Sequence, residues 1–347
     1  MRAGARPAQT RVRRVLDPRC LCALAALLLS GCAGPQSTLD PGGRGAERIA
    51  ELFWLLTLGA LLIWIVAVAL WLYAVYRTER PASARSGRLI IVGGGVVVPT
   101  LILAAVLSYS LLMLPDFLEP APEGSLRIEV IGHQWWWRVR YLPGGETPGA
   151  GEPVELANEI RLPVDEPVQL ELETRDVIHS FWIPAIGGKM DMIPGRRTRL
   201  KLEPTRVGIY RGACAEYCGT SHALMGLSVV VQEADEFEAW LEAQAGSASA
   251  PPAGSSAERG REVFLANGCG ACHAVRGTRA DGVVGPDLTH VGGRLSLGAG
   301  TLPNDAESFR RFVELTDEVK PSVHMPAFDM LPPDDLDALA AYLESLQ

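Results

Sequence analysis

The sequence is poor in cysteine. Its 347 residues hold seven, at Cys20, Cys22 and Cys32, then Cys214 and Cys218, then Cys269 and Cys272. These are tight groups rather than the scatter of a disulfide-stapled small fold, and the last two groups have metal or cofactor spacing. A basic stripe is also missing. Beyond the first ninety residues or so no run of Lys or Arg builds up, and the net charge is −8, so nucleic acid is excluded as a partner. The acidic balance suits a basic protein partner. Charge is absent as well from two long stretches, Leu52 to Tyr76 and Leu89 to Leu114.

Each of those stretches is long enough for a transmembrane helix, which needs about 20 apolar residues. Trp54, Trp71, Tyr73 and Tyr76 lie near the ends of the first, as interfacial anchors do. Between the spans, Arg77, Arg80, Arg85 and Arg88 stand against one acid, Glu79. The positive-inside rule makes this loop cytoplasmic and puts the N-terminus and everything after Leu114 on the outer side. Gly93-Gly94-Gly95 and Pro99 interrupt the second span and suit close packing on neighbouring helices of a larger membrane subunit. Ahead of the spans, an arginine-rich stretch and the short apolar run Leu21–Leu29 lead to Leu29-Ser30-Gly31-Cys32, a secretory signal. That tetrad resembles the bacterial lipobox, which implies a signal over residues 1–31 and a lipidated Cys32; the alternative is an ordinary signal with an incidental cysteine.

From Leu126 the pattern changes to short β-rich runs: Leu126–Tyr141, Glu159–Val164, Pro167–Glu173, Arg197–Leu202, Val207–Arg211 and Leu227–Val231, with Pro/Gly punctuation between them. Strands this short and this many predict a Greek-key barrel or sandwich over residues 124–243, closed by an acidic helix over Asp235–Ala243. Between the last two strands lies Cys214-Ala215-Glu216-Tyr217-Cys218-Gly219-Thr220-Ser221-His222-Ala223-Leu224-Met225, and His179 is placed on an earlier loop. Two thiolates and two imidazoles would also fill a tetrahedral zinc site, and the two cysteines could pair as a disulfide. Zinc gains nothing from Met225, whereas thiolate, imidazole and thioether together favour copper, and two bridging thiolates can hold two copper ions.

Cys-x-Glu-x-Cys-Gly-x-x-His-x-x-Met resembles the copper signature of cytochrome c oxidase subunit II. Gly132-His133-Gln134-Trp135-Trp136-Trp137, Asp176 to Pro184 and Met192-Ile193-Pro194-Gly195-Arg196 are similar to further blocks of that family. The likeness covers about residues 45–240. It implies a two-helix membrane hairpin over residues 45–115 followed by a cupredoxin-like domain with a dinuclear copper centre. His179, Cys214, Cys218, His222 and Met225 would be ligands through their side chains and Glu216 through its carbonyl. The Glu216 carboxylate would face subunit I and help hold magnesium or manganese there, and Trp135 would pass electrons in. One position departs from the family. Many members carry a glutamate at the mouth of a proton channel, seven residues before the proline of the second span, and here that position is Val92.

Residues 244–257, rich in Ala, Gly, Ser and Pro, predict a flexible linker. Such a tether would let a C-terminal domain approach donor and copper site in turn. That domain, residues 258–347, contains Cys269-Gly270-Ala271-Cys272-His273, the c-type haem attachment motif: two thiols for thioethers and a histidine for the iron. Met325, in His324-Met325-Pro326, is the candidate for the opposite ligand, with Met330 and His324 as rivals; a methionine there raises the haem potential. Pro286 is expected to back His273, and His290 to be structural or exposed. The helix Asp334–Leu346 presents Leu336, Leu339, Ala340 and Leu343 on one face and should pack on the helix Glu258–Gly268, giving an all-α domain.

The whole is read as a multidomain membrane protein that resembles subunit II of the caa-type oxidases. That resemblance implies electron transfer from a cytochrome c or bc-type donor, through haem c and copper, to haem a of subunit I, with subunit III as a further partner. Oxygen reduction and proton pumping would be the work of the complex, at the bacterial inner membrane with both soluble domains outside. Two other functions stay open on sequence: the copper-bearing subunit of a nitric oxide reductase, and a stand-alone membrane-anchored electron carrier.

Overall fold

The computed structural model describes residues 31, 33–76, 83–143, 151 and 153–347. The proposed signal over residues 1–31, save Gly31, lies outside the described residues, as do Cys20, Cys22, Cys32, Arg77 and Arg80.

Two helices are long and apolar enough to cross a membrane, α1 (Arg44–Tyr76) and α2 (Ala84–Leu118). At 1.5 Å per residue, the 33 residues of α1 run for about 50 Å, well beyond the ~30 Å of a hydrocarbon core. Its polar first turns, with Arg44, Glu47, Arg48 and Glu51, therefore stand outside the apolar run. They are tied to the outer domain: the Arg44 N–H donates to Glu203 O (2.9 Å) and the Ala46 N–H to Ile186 O (3.2 Å). The apolar flanks carry no cover; Leu62 is 63% exposed and Leu103 68%. The interruption expected at Gly93–Pro99 is a π-helical stretch, Leu89–Val97, in which the Val98 N–H reaches back five residues to Gly93 O. Proline at 99 has no N–H to give, and widening the preceding turns is one way a helix absorbs that loss.

The outer domain is two five-stranded sheets. One has the order β3 (Val154–Ala157), β2 (Trp136–Tyr141), β1 (Leu126–His133), β5 (Val168–Thr174), β8 (Thr198–Leu202). The other has β4 (Glu159–Pro163), β10 (Gly226–Gln232), β9 (Gly208–Cys214), β6 (His179–Trp182), β7 (Met190–Met192). β1 pairs with β5, and β4 with β10, in parallel; the other pairings are antiparallel. This is the expected cupredoxin-like Greek-key architecture, built as a sandwich. Its core is filled by inward residues such as Ile128, Trp137, Leu162, Leu172 and Phe181, all under 2% exposed, each contributing about 1.5–3 kcal/mol by burial.

Three details correct the sequence reading. Leu126–Tyr141 is not one strand but the antiparallel pair β1 and β2, in which His133 faces Trp136. His179 does not lie on a loop; it opens β6 and pairs with Met192 of β7. The closing helix α3 is longer by a residue or two at each end, Ala234–Ala245.

Of residues 244–257, expected as a flexible linker, Gly246 and Ala248 are bonded to the C-terminal domain, while most of the stretch up to Ser255 is exposed. The Ala248 N–H donates to Arg276 O (3.0 Å), and Arg276 Nη2 donates to Gln244 O (2.6 Å). Buried His290 meets Gly246 O through Nε2 at 3.2 Å, which settles it as structural. The C-terminal domain itself has α4 (Ser256–Ala266), α5 (Ala306–Glu314), α6 (Thr316–Val319) and α7 (Pro333–Ser345). It is not purely α-helical: β11 (Ala274–Val275) and β12 (Ala280–Asp281) form a small antiparallel ladder. The apolar face of α7 packs on α4 as expected, with Phe264 and Tyr342 edge to face at 5.6 Å. The crossing depends on Gly260, where a Cβ would lie 1.9 Å from Ala338 O; any larger residue forces the helices apart, at a typical overpacking cost of about 1–3 kcal/mol.

Candidate functional site

Strand pairing gathers the first cluster. Cys214 ends β9 opposite Phe181 of β6, so His179, two residues before Phe181, arrives beside it. The loop from Cys214 to Met225 then curls back, closed by the Cys214 N–H donating to Met225 O (3.0 Å). The two sulfurs, Cys214 Sγ and Cys218 Sγ, lie 3.8 Å apart, against about 2.05 Å in a disulfide. His179 Nδ1 is 3.8 Å from Cys214 Sγ and His222 Nδ1 is 3.5 Å from Cys218 Sγ. Met225 Sδ is 3.8 Å from Cys218 Sγ, and Glu216 O is 3.2 Å from Cys214 Sγ.

All six side chains or carbonyls singled out from the sequence thus come together. The donor atoms of His179, Cys214 and Cys218 all lie within 4.8 Å of one another, and His222 is not part of that group. One small tetrahedral ion would draw all four into a single cluster. Here two sulfurs sit in the middle, with an imidazole beside each, a thioether at one end and a carbonyl at the other. That donor set fits two soft ions sharing the sulfurs better than it fits one zinc.

The surroundings prepare these atoms. Asp176 Oδ1 is 2.7 Å from His179 Nε2, which turns Nδ1 toward the Cys214 sulfur, the orienting role a carboxylate plays behind a histidine able to ligate. Burial pulls the His179 imidazolium down, but Asp176 and the Cys214 sulfur outweigh it and raise its pKa to about 8. Burial likewise pushes the Asp176 carboxyl up, and the hydrogen bonds from His179 and from the Gln134 and Val177 N–H groups overcome it and hold the group below its ordinary range. Sharing one proton between the two sulfurs lets the first thiol ionise far below the usual range and makes the second proton hard to remove. Trp135 is 5% exposed, and its Nε1 donates to Cys218 O (3.0 Å), as does Gln134 Nε2 (2.7 Å). Glu216 and Tyr217 are exposed, Tyr217 at 76%, and so are Val177 and Ile178 near His179 in sequence.

The second cluster lies in the C-terminal domain. A cavity of about 860 Å³ is lined by Cys269, Cys272, His273, Pro286, Met325 and Phe328. His273 Nδ1 donates to Pro286 O (2.8 Å), which fixes the ring and leaves Nε2 as the free lone pair; burial holds the imidazole below its usual pKa. Pro286 therefore backs His273 as expected. Met325 lines the cavity, as does His324, whereas Met330 does not and is 72% exposed. Two thiols, a neutral imidazole and a thioether around an apolar chamber fit a covalently held haem. Sequence reasoning missed the far wall of this chamber, which belongs to the other domain: Trp135, Trp136 and Arg138 also line it. Trp136 stacks on His133 (4.6 Å, 9° between planes) under the Arg138 guanidinium, 5.0 Å from its ring.

Comparison with known proteins places the chain in a family. Residues 126–233 match the family described as cytochrome c oxidase subunit II, periplasmic domain, and residues 257–347 match cytochrome c. The chain is similar to cytochrome c oxidase subunit 2 of Alkalihalophilus pseudofirmus, with 35% identity over 92% of this chain and 94% of that one. It is similar to the subunit 2 of Bacillus subtilis, with 29% identity over 94% and 96%. A solved periplasmic domain of oxidase subunit II from Bradyrhizobium japonicum aligns at 31% identity and a TM-score of 0.32, over 36% of this chain and 96% of that one. The chain therefore belongs to the cytochrome c oxidase subunit 2 family, as a membrane-anchored subunit of a haem–copper oxidase with a cytochrome c domain fused at its C-terminal end.

Proposed function

We propose that this chain is the electron-relay subunit of a proton-pumping terminal oxidase, taking electrons from an external cytochrome c or bc-type donor and delivering them to haem a of subunit I. When bound, haem c and a dinuclear copper centre supply the one-electron chemistry. The observation that carries the reading is the pair of unbonded sulfurs 3.8 Å apart with an imidazole nitrogen beside each.

Each residue has a part in this reading. Cys214, Cys218, His179 and His222 would hold the copper through their sulfurs and imidazoles, and Met225 and the Glu216 carbonyl would add weaker donors. Asp176 orients His179. Cys269 and Cys272 would attach the haem through thioethers, and His273 and Met325 would be the side chains offered to its iron. Trp135, hydrogen-bonded to Cys218 O, passes electrons toward the copper. The exposed face with Glu216, Tyr217, Val177 and Ile178 docks on subunit I, and the Glu216 carboxylate helps hold magnesium or manganese there. Both soluble domains face the outer side of the bacterial inner membrane, anchored by α1 and α2 and by a lipidated Cys32. Subunit III completes the complex. No proton-channel residue is assigned to this chain, because Val92 cannot carry a proton.

Flash reduction of haem c by a photoexcited dye, in the purified oxidase, tests the relay. Haem c should reoxidise as the copper absorption bleaches, and haem a should be reduced next. Reduction of haem a with no intervening change at the copper would overturn the reading.

A further inference from the structure

We propose that Lys320 is a positioning residue that clamps the haem domain onto the copper loop, so that electron transfer runs from one docked pose and not by a domain swinging on its tether. The inference rests on the relay reading and adds to it how the two centres are held in register.

The chain has three lysines, at 189, 201 and 320, and only Lys320 is buried, at 2% exposure. Its Nζ donates to two carbonyls, Leu224 O of the copper loop (2.9 Å) and Gly298 O of the haem domain (2.7 Å). A buried amino group is tolerated only where its N–H groups meet acceptors, and two do so here. Half of that matching comes from the other domain, so the burial of Lys320 exists only while the domains are docked. Released, it would be an ordinary solvated lysine.

The neighbouring bonds tighten the same seam. Ser221 Oγ donates to Pro321 O (2.6 Å), and the Gly226 N–H donates to Ala299 O (2.9 Å). At Gly226 a Cβ would lie 2.7 Å from Ala299 O, so the close approach requires glycine. The clamp therefore joins the two segments that carry the proposed methionine ligands. Leu224 and Gly226 flank Met225, and Lys320 lies five residues before Met325. In this pose the haem chamber already has Trp135 and Trp136 as its far wall, and Ala248 and Gly246, at the start of the linker, are bonded to Arg276 and His290.

Ser228 Oγ and Ser296 Oγ face each other across the seam at 2.9 Å, which offers a direct test in the intact oxidase. In the double variant Ser228→Cys with Ser296→Cys, mild oxidation should form the interdomain disulfide. The crosslinked complex should then turn over, and pass electrons from haem c to copper, at the wild-type rate. Failure of the disulfide to form, or a crosslinked enzyme that stalls and recovers when the bond is cleaved, overturns the fixed pose. In Lys320→Met the haem and copper spectra should be kept. Transfer between the two centres should slow by about tenfold or more, as expected when reacting groups lose fixed placement, and should become sensitive to viscosity. Unchanged transfer in this variant would remove Lys320 from the role. A wild-type oxidase whose haem c never reduces the copper would instead fault the relay reading, while disulfide formation would still report on the docking.

Discussion

Replacing Cys218 by serine is expected to remove the copper centre outright and leave the haem spectrum as it was. Of the sulfur contacts in the cluster, those to Cys214, His222 and Met225 all run through Cys218 Sγ, so this one atom joins the two halves. A serine oxygen is a hard, weakly acidic donor and does not bridge soft ions. The wall around it should survive, because Trp135 Nε1 and Gln134 Nε2 bind the main-chain carbonyl of Cys218 and not its sulfur. The variant should fold, insert and retain haem c, while metal analysis finds the copper of this domain lost and donor-driven oxygen uptake falls to background. A variant that kept both copper ions, or lost the haem with them, would contradict the assignment.

Met325→Ala should do the reverse. Met325 shares its cavity with His273, and a thioether opposite histidine raises the haem potential. Its removal should change the haem spin state and lower the potential, so that the donor no longer reduces it efficiently, and the copper signal should be untouched. Met330→Ala is the control: Met330 is 72% exposed and outside the cavity, so the change should be silent in a redox titration. A haem perturbed by Met330→Ala and not by Met325→Ala would reverse the choice of ligand.

The residues proposed as ligands could be picked out from the sequence because they are mostly local. From Cys214 to Met225 the spacing itself carries the chemistry, and so does Cys269 to His273. The alternating strands β4, β5 and β8, and the apolar runs of β9 and β10 bounded by Gly, were legible from local pattern. β3, β6 and β7 were not: at four, four and three residues they are too short for a period of two to register. The turn between β1 and β2 was hidden because Gln134 and Trp135 are not turn formers, and their place is fixed by partners far along the chain, the Gln134 N–H by Asp176 (2.7 Å) and Trp135 by Cys218. The bonds at the start of the linker were hidden for a related reason. Its composition has no order of its own, and what holds Gln244, Gly246 and Ala248 is Arg276 and His290. Lys320 gave no local signal at all, since a single lysine before a proline says nothing until a second domain closes over it.

The account turns on two copper ions sharing the sulfurs of Cys214 and Cys218. Metal analysis and electron paramagnetic resonance of the purified oxidase test this most directly. The account predicts two copper ions in this chain and a resonance in which one unpaired electron is spread over both nuclei. One zinc ion, or an isolated cupric signal confined to a single nucleus, would contradict it.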